Sequence, residues 1–578
     1  MDRTAATPSA YPLAPDVESI ERELDASFAS HPLFARPRAE ALVLFATAAQ
    51  RRALAAVERE VDGRARVGHA SPQLDVLYEA TWHAVAQIWA RGPAVARAPD
   101  VVALDARAMR EADDAVRAAI AYVPWVSAFT VARRLGVRLT VEDRTLVAHP
   151  PPVSAQYLAY NRLTAALTAL ACGSADESVP AGGPDVDVDF DEAPLPRQIE
   201  RAYASVAATL RLPPAASLGA YTLGDAAKAW AVLTTLSVRQ FVAGRTGQVP
   251  DGSPLVIARA TLVGIMTGDA GMPGTVAEQV VDHLTFGRGM RGPNADPVIQ
   301  PLIPVGHGAL LIAPYLVLFN AFEQNFLRLT NLLNPRGRAY EALKNAKEGI
   351  LRTRIIEELR SVRPGRFSFN WAELSFGNVD LAIRDERTRS CLLVELKWLT
   401  NPTSALDVAR RSAELRHGAG QVYALLRDAA RGGDSEVRRK LGLGRGYQIR
   451  GVVATSGWAG AVHTGVEAVD GRDQYLPTLN AHHLAARLRH ATVPSVARWA
   501  YSGGHLPRAG RDFRASYVRH RFGDLHLRWW RVELLGEMRQ TSVGRDYTRR
   551  APSEVLRLAH VTDWLAATAR RLLQRPEL

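Results

Sequence analysis

Three charged residues lie in two neighbouring apolar segments in the second half of the chain. The stretch Asn378–Leu399, NVDLAIRDERTRSCLLVELKWL, places Asp380 at the head of one apolar run, and Glu395 and Lys397 inside the next. Burying a charged side chain is costly unless the charge is paired or binds a metal. These three residues are therefore the first candidates for chemistry.

The two apolar runs flank the polar segment ERTR, a pattern that predicts a β-hairpin. Strand side chains alternate between two faces, so Glu395 and Lys397 project from one face, and Asp380 on the adjacent strand can converge on them. Two close carboxylates repel each other unless a cation neutralises them, and hard oxygen ligands select Mg²⁺ or Mn²⁺. With such a metal, Lys397 could orient a water and stabilise negative charge on a phosphate oxygen. The pattern predicts phosphodiester hydrolysis.

At these positions the chain resembles the PD-(D/E)xK nuclease superfamily. The motif is an acid on one strand and an Asp/Glu-x-Lys triplet on the next, matched here by Asp380 and, after fourteen intervening residues, by Glu395-Leu396-Lys397. The resemblance implies a restriction-endonuclease-like core in which Asp380, Glu395 and the backbone carbonyl of Leu396 hold the metal while Lys397 serves the water. Val379 stands where the family name has proline.

The resemblance also implies functional residues on the two flanking helices. Members of the superfamily usually carry a further acid on the helix before the sheet, and Glu348 and Glu357 compete for that role, with Glu348 preferred for its spacing from Leu351. Some branches have a glutamine and a tyrosine on the following helix. Gln421 matches the glutamine, whereas Tyr423 follows it by two residues rather than four.

The surrounding sequence predicts the elements that would position these residues. AKEGILRTRIIEELRSV reads as an amphipathic helix, RFSFNWAELSF as a strand, SALDVARRSAELRHGAGQVYALLRDAAR as a long helix and YQIRGVVATS as another strand. Together with the hairpin, the order helix, three strands, helix, strand predicts an α/β core with a mixed sheet. The alternative is a half-exposed sheet on which the same charges form a structural ion pair.

The remainder of the chain divides into regions of different character. We expect a helical N-terminal region at 1–172, an acidic linker or loop rich in Gly and Pro at 173–197, a second helical region at 198–338, a nuclease domain at 339–493 and a basic C-terminal region at 494–578. Within the first region, GVRLTVEDRTLVAHPPP resembles a strand. The linker contains Asp185, Asp187, Asp189 and Asp191, but it lacks the spacing of an EF-hand. The overall expectation is a multi-domain protein, mostly α-helical before the α/β core.

Composition limits the possible partners and location. The chain has 578 residues and a formal net charge of +12, which indicates a polyanionic partner such as nucleic acid. Two cysteines, Cys172 and Cys391, are too few for a disulfide framework or a thiolate zinc site. No apolar run approaches the roughly 20 residues that span a bilayer, and the N-terminus does not read as a signal peptide. We expect a cytoplasmic protein without membrane association.

The expected activity is that of a Mg²⁺- or Mn²⁺-dependent nuclease, with DNA favoured as substrate and endonucleolytic cleavage favoured as mode. Long regions attached to such a nuclease also favour a role in bacterial defence against phages or plasmids. The helical N-terminal region would then sense a signal, bind a partner protein or form a homo-oligomer. Open alternatives are an RNA-directed nuclease, a DNA-repair nuclease, and a non-catalytic nucleic-acid-binding scaffold that keeps the fold.

Overall fold

A computed structural model describes the protein between residues 11 and 535, with internal gaps, and isolated positions beyond. The larger gaps are 60–71, 94–103, 175–192, 290–294, 334–337 and 468–472. The predicted linker at 173–197 falls mostly in one of these gaps, so the prediction for Asp185, Asp187, Asp189 and Asp191 lies outside the described residues.

Helices make up most of the described chain. Their bounds are α1 Pro15–Ala29, α2 Arg38–Arg59, α3 Pro72–Arg91, α4 Ala106–Leu135, α5 Pro152–Ser174, α6 Leu195–Ala208, α7 Leu223–Arg245, α8 Arg259–Gly268, α9 Gly274–Leu284, α10 Pro314–Leu318, α11 Phe322–Leu333, α12 Arg338–Val362, α13 Ala405–Ala429, α14 Glu436–Leu441, α15 Ala481–Leu488 and α16 Val493–Tyr501.

The strands form four separate sheets in the described residues. Their bounds are β1 Arg138–Glu142, β2 Thr145–His149, β3 Leu255–Ala258, β4 Leu302–Gly306, β5 Ala309–Ile312, β6 Phe367–Leu374, β7 Gly377–Asp385, β8 Ser390–Lys397, β9 Gln448–Thr455, β10 Gly465–Glu467, β11 Asp473–Tyr475, β12 Thr478–Asn480, β13 Phe513–Phe522 and β14 Leu525–Leu534.

The chain folds into two compact units, each made of segments that are distant in sequence. The described residues of the first unit fall within 1–18, 125–176 and 345–558, and those of the second within 19–124 and 177–344. This division differs from the predicted one, because residues 125–172 belong with the core that follows residue 345 rather than with the N-terminal helices. The coarse expectation of a multi-domain α/β protein rich in helix is confirmed.

The five-stranded sheet of the first unit has the order β12-β9-β8-β7-β6. Strands β6, β7 and β8 pair antiparallel, while β8 pairs parallel with β9 and β9 parallel with β12. The sheet is therefore mixed, and the predicted order of helix, three strands, helix and strand is observed as α12, β6 to β8, α13 and β9. At the turn between β7 and β8, Arg389 adopts a left-handed conformation with φ of 45°.

The central strand β8 is covered on both faces. Leu392, Val394 and Leu396 pack in a cluster that includes Leu351 and Ile355 of α12. The alternate residues Cys391 and Leu393 pack in a second cluster that includes Leu425 and Ala429 of α13. Every residue of β8 is buried, which explains why its sequence is almost continuously apolar.

A three-stranded antiparallel sheet corrects the prediction that 198–338 is helical throughout. Its order is β3-β5-β4. The three strands are four or five residues long and read LVIA, LIPVG and ALLI. Such short apolar runs carry no alternation that would distinguish a strand from a buried piece of helix.

A four-stranded sheet in the first unit joins strands that are distant in sequence. Its order is β1-β2-β14-β13, and β14 pairs parallel with β2. The strand-like segment predicted before the linker is thus a hairpin, and the described part of the basic C-terminal region completes its sheet. The predicted separate C-terminal region at 494–578 is therefore wrong as a structural boundary.

One helix of the described chain, α4, is long and apolar enough to cross a membrane by length and composition. Its stretch without a charged side chain, between Arg117 and Arg133, is shorter than the roughly 20 residues of a membrane span. Half of its apolar window is buried inside the protein, as in the core helix of a globular domain. A cytoplasmic location remains a prediction.

The pairing of β14 with β2 predicts a stability contribution from Leu527. Leu527 is fully buried opposite Leu146, which is also fully buried. Leu527→Ala should lower the free energy of unfolding of the first unit by about 2–5 kcal/mol, because the vacated space cannot fully collapse. Calorimetry can measure this, with Ser516→Ala on the exposed part of β13 as the control. An equal, small effect of both substitutions would contradict the packing described here.

Candidate active site

The predicted acid on β7 lies beside the predicted triplet on β8. Leu381 is opposite Val394 in the antiparallel ladder, so the strands run on to Asp380 and Glu395. The backbone N–H of Leu396 donates a hydrogen bond to Asp380 Oδ2 at 2.8 Å. The Asp380 carboxylate is therefore fixed to the backbone of Leu396, the residue between Glu395 and Lys397.

Glu395 and Lys397 form a buried ion pair on the face of the sheet that α13 covers. The exposed fractions are 2% for Glu395 and 9% for Lys397. Lys397 Nζ donates to Glu395 Oε1 at 2.6 Å and to Gln421 Oε1 at 3.1 Å. The structure thus brings Gln421 of α13 to the lysine, and the shared face follows from the alternation of strand side chains.

The second oxygen of Glu395 has a different environment. Glu395 Oε2 is buried and has no hydrogen-bond partner among the described residues. Burial, reinforced by the charges of Asp380 and Glu348 and opposed by Lys397, raises the pKa of the Glu395 carboxyl to about 7. A buried, unpartnered carboxylate oxygen is unfavourable by itself, so binding of a cation there would lower the free energy of the site.

The same surroundings also raise the pKa of Lys397, and for this group a raised pKa keeps the side chain charged. Burial lowers the pKa of its ammonium, but the attraction of Glu395, with smaller contributions from Asp380 and Glu348, outweighs burial and raises the pKa. Lys397 is therefore a permanent cation at neutral pH. Its charge is shared among three carboxylates, so one lysine does not neutralise the site.

Glu348, rather than Glu357, is the acid of α12 that acts on this site. Leu351 and Ile355 of α12 are buried against the sheet, and Glu348 lies one turn before Leu351 on the same side of the helix. Its charge affects the pKa values of both Glu395 and Lys397. Glu357 is exposed. A functional role for Glu348 remains a prediction.

Gly418 is a site residue that sequence reasoning missed. A Cβ atom at this position of α13 would lie 2.9 Å from Cε of Lys397 and 3.4 Å from Cγ of Glu395. Only glycine lets the helix approach the ion pair this closely. A glycine inside a helix costs stability, so the sequence HGAGQ already contained a signal that the backbone must pass near another group there.

The donor set fits a hard divalent cation. Asp380 and Glu395 supply carboxylate oxygens, and one oxygen of Glu395 is buried without a hydrogen bond. In a strand, the N–H and C=O of one residue point to the same edge, so the carbonyl of Leu396 faces the side on which its N–H contacts Asp380. No group of three or more His, Cys, Asp or Glu side chains is placed to hold a metal anywhere in the described part of the chain. A metal here would thus need the backbone carbonyl and water as further ligands.

Comparisons with protein-family models, with curated proteins and with solved structures found no match. What the fold defines is a multi-domain α/β protein. The site brings together the carboxylates of Asp380 and Glu395, the ammonium of Lys397 and the amide of Gln421. Its function rests on that geometry.

Two glycines of α13 provide a matched test of the close approach. Gly418→Ala should destabilise the first unit by about 1–3 kcal/mol, because the new methyl group would push Lys397 away from its partners. A methyl group at position 420 would meet no neighbouring atom within 4 Å, so Gly420→Ala should stabilise the helix by about 0.5–1 kcal/mol. Chemical denaturation measures both. The same sign for the two variants would contradict the packing of Lys397 against Gly418.

The raised pKa of Glu395 predicts how metal binding depends on pH. Between the ordinary carboxyl pKa of 4.5 and about 7, the folded state binds more protons than the unfolded state, so stability in EDTA should fall as pH rises. Mg²⁺ should restore it, and its stabilising effect should be larger at pH 8 than at pH 5.5, where Glu395 is protonated. Melting temperatures with Mg²⁺ and with EDTA test this. A Glu395→Gln variant that kept the same Mg²⁺ response would rule out metal binding through Glu395.

Proposed function

We propose that the protein is a metal-dependent nuclease of the PD-(D/E)xK type. The observation that supports this most is the buried, unpartnered Oε2 of Glu395, adjacent to Asp380 and backed by an ion pair with Lys397 on the other carboxylate oxygen. A purely structural ion pair would have no reason to leave half of a buried carboxylate without a partner. A cation ligand explains that oxygen.

Asp380, Glu395 and the carbonyl of Leu396 would hold Mg²⁺ or Mn²⁺. When bound, the metal would supply an activated water and polarise a phosphoryl oxygen. Glu348, whose charge already acts on the pair, would add negative potential on the α12 side. The chain itself therefore selects a doubly charged ion over a single monovalent cation.

Lys397 would position the reacting groups. Its ammonium is held by Glu395 Oε1 and Gln421 Oε1, so two of its three donors point at fixed partners. The remaining donor can hydrogen-bond a water or a phosphate oxygen. Because its pKa is raised, Lys397 stays protonated at neutral pH and acts by stabilising negative charge rather than by removing a proton.

Nucleic acid is the substrate class that charge favours, and DNA is proposed ahead of RNA on the resemblance to the nuclease superfamily. The net charge of the chain is +12. The described strands β13 and β14 alone contain five arginines and one glutamate. Such excess positive charge attracts a phosphate backbone without regard to sequence. Endonucleolytic cleavage and a role in bacterial defence against phages or plasmids complete the proposal.

A second candidate is a non-catalytic nucleic-acid-binding scaffold. It is favoured by the closed contact between Lys397 and Glu395 at 2.6 Å, and by the lack of a three-acid metal group among the described residues. In that case Lys397 would be the permanent partner of Glu395, and no metal would bind there. The scaffold would bind nucleic acid with the same salt dependence but would not cleave it.

Cleavage of supercoiled plasmid should require both the metal and Lys397. We expect wild-type protein to nick or linearise plasmid with Mg²⁺ or Mn²⁺ and to be inactive in EDTA. Lys397→Met should lower the rate by about 100-fold or more, because a charge-stabilising donor is lost. Gel electrophoresis of plasmid, linear duplex, single-stranded DNA and RNA measures both the rate and the substrate preference.

The two acids of α12 provide the control for this experiment. Glu348→Gln should reduce cleavage, whereas Glu357→Gln, on the exposed side of the same helix, should not. Binding of DNA by wild-type protein without cleavage under any metal condition would support the scaffold instead. Cleavage that survives in the Lys397→Met variant would reject the assignment of the site.

A further inference from the structure

An arginine lies over each aromatic ring on one face of the edge strand β6. The guanidinium-to-ring distances are 5.0 Å for Arg366 and Phe367, 5.6 Å for Arg360 and Phe369, and 4.6 Å for Arg352 and Trp371. The rings recur at every second position, so they line one face of the strand. We call these three pairs the arginine–aromatic row.

The two ends of the row differ in exposure. At the inner end Phe367 is buried, and Arg366 lies 3.6 Å from the buried carboxylate of Asp385, so this pair belongs to the core. At the outer end Trp371 is 56% exposed, more than any other large hydrophobic side chain in the described chain. Arg360 is exposed as well. Only the outer part of the row can contact a ligand.

The outer end of the row is joined directly to the candidate active site. Arg352 lies over Trp371, and its Nη1 donates to the backbone carbonyl of Asp380 at 3.2 Å. Arg352 is also one helical turn after Glu348 on α12. The exposed indole is thus two contacts away from the carboxylates.

The candidate active site has more negative than positive charge, and the row adds positive charge beside it. Three carboxylates, those of Glu348, Asp380 and Glu395, act on Lys397. Lys397 is buried and already paired, so it cannot attract a polyanion from solution. A phosphate backbone approaching this site therefore needs cations outside it. Arg352 contacts Asp380, and Arg360 lies about two turns further along α12.

We propose that the outer part of the row binds single-stranded nucleic acid, with a base stacked on Trp371 and with Arg352 and Arg360 contacting phosphates. An aromatic side chain can stack only on a base whose face is open, and in a duplex both faces are covered by neighbouring bases. The occupant is therefore a single strand or an unpaired end rather than an intact duplex. That the strand continues to Asp380 and Glu395 for cleavage rests on the proposed nuclease function; the binding itself does not.

Protection of the sheet edge is the simpler explanation of the same residues. Charged side chains on an edge strand prevent pairing with another chain. That role needs only the charges of Arg352 and Arg360 on α12 beside the strand, and it gives no reason to expose a tryptophan. Edge protection and ligand binding also differ in outcome, because only the second makes affinity for nucleic acid depend on Trp371.

Fluorescence anisotropy in EDTA, with labelled oligothymidine, oligouridine and a DNA duplex as probes, separates these explanations. Trp371→Ala should weaken oligothymidine binding about 5- to 100-fold through loss of stacking, and Trp371→Phe should retain most of it. Arg360→Gln should make the slope of log affinity against log salt shallower by about 0.7, the value for one phosphate contact to a single strand. Tyr11→Ala is the control, since Tyr11 is 50% exposed but lies outside the five-stranded sheet and outside the arginine-rich strands β13 and β14.

Each outcome decides one point. Unchanged affinity in Trp371→Ala, an equal loss in Tyr11→Ala, or an equal loss for duplex and single strand would overturn the proposal. Oligodeoxyuridine, which differs from oligouridine only in the sugar, separates the effect of the sugar from that of the thymine methyl group. Trp371-dependent binding without cleavage in Mg²⁺ would leave this surface intact and remove the nuclease function. Cleavage without Trp371-dependent binding would do the reverse.

Discussion

The burial of the Glu395 carboxylate is the constraint on which the rest of the first unit depends. An ionised carboxylate in a central strand is tolerated only if its surroundings compensate the lost hydration. Lys397 compensates one oxygen, and Gln421 holds Lys397 from the opposite helix. Gly418 provides the space for both long side chains under α13. Strand, helix and glycine are thus fitted to one ion pair.

The second oxygen of Glu395 makes this arrangement different from a satisfied ion pair. A buried ion pair contributes little stability when one carboxylate oxygen has no donor, because no hydrogen bond compensates the lost hydration of that oxygen. The raised pKa of Glu395 expresses the same imbalance as a tendency to hold a proton. In the proposed enzyme a divalent cation replaces that proton, so metal binding and pH act on one group.

The parts that the sequence predicted are those governed by short-range periodicity. Alternation in β7 and β8 indicated where Asp380, Glu395 and Lys397 would meet, and the spacing from Leu351 favoured Glu348 over Glu357. The three short strands of the second unit were missed because four or five apolar residues have no distinguishing period. The pairing of β2 with β14 was missed because no local pattern specifies a partner that is hundreds of residues away.

Gly418 and the arginine–aromatic row lie between these extremes. The sequence shows a glycine inside a predicted helix and aromatic residues at alternate positions of a predicted strand. Their meaning depends on which element packs against them. The closeness of Lys397 to Gly418 and of Arg352 to Trp371 appears only once α12 and α13 are placed on the sheet.

The four-stranded sheet has a consequence for how the protein is made. Leu527 pairs with Leu146, about 380 residues earlier in the chain. At roughly 5–20 residues per second, the ribosome needs about 20–80 s to deliver the partner strand after β2 has emerged. Helix α5, which follows β2, contributes Tyr157 and Tyr160 to the core beneath the five-stranded sheet. Until β14 is delivered, the hairpin of β1 and β2 has an open edge, which leaves Leu146 uncovered and free to pair with another chain.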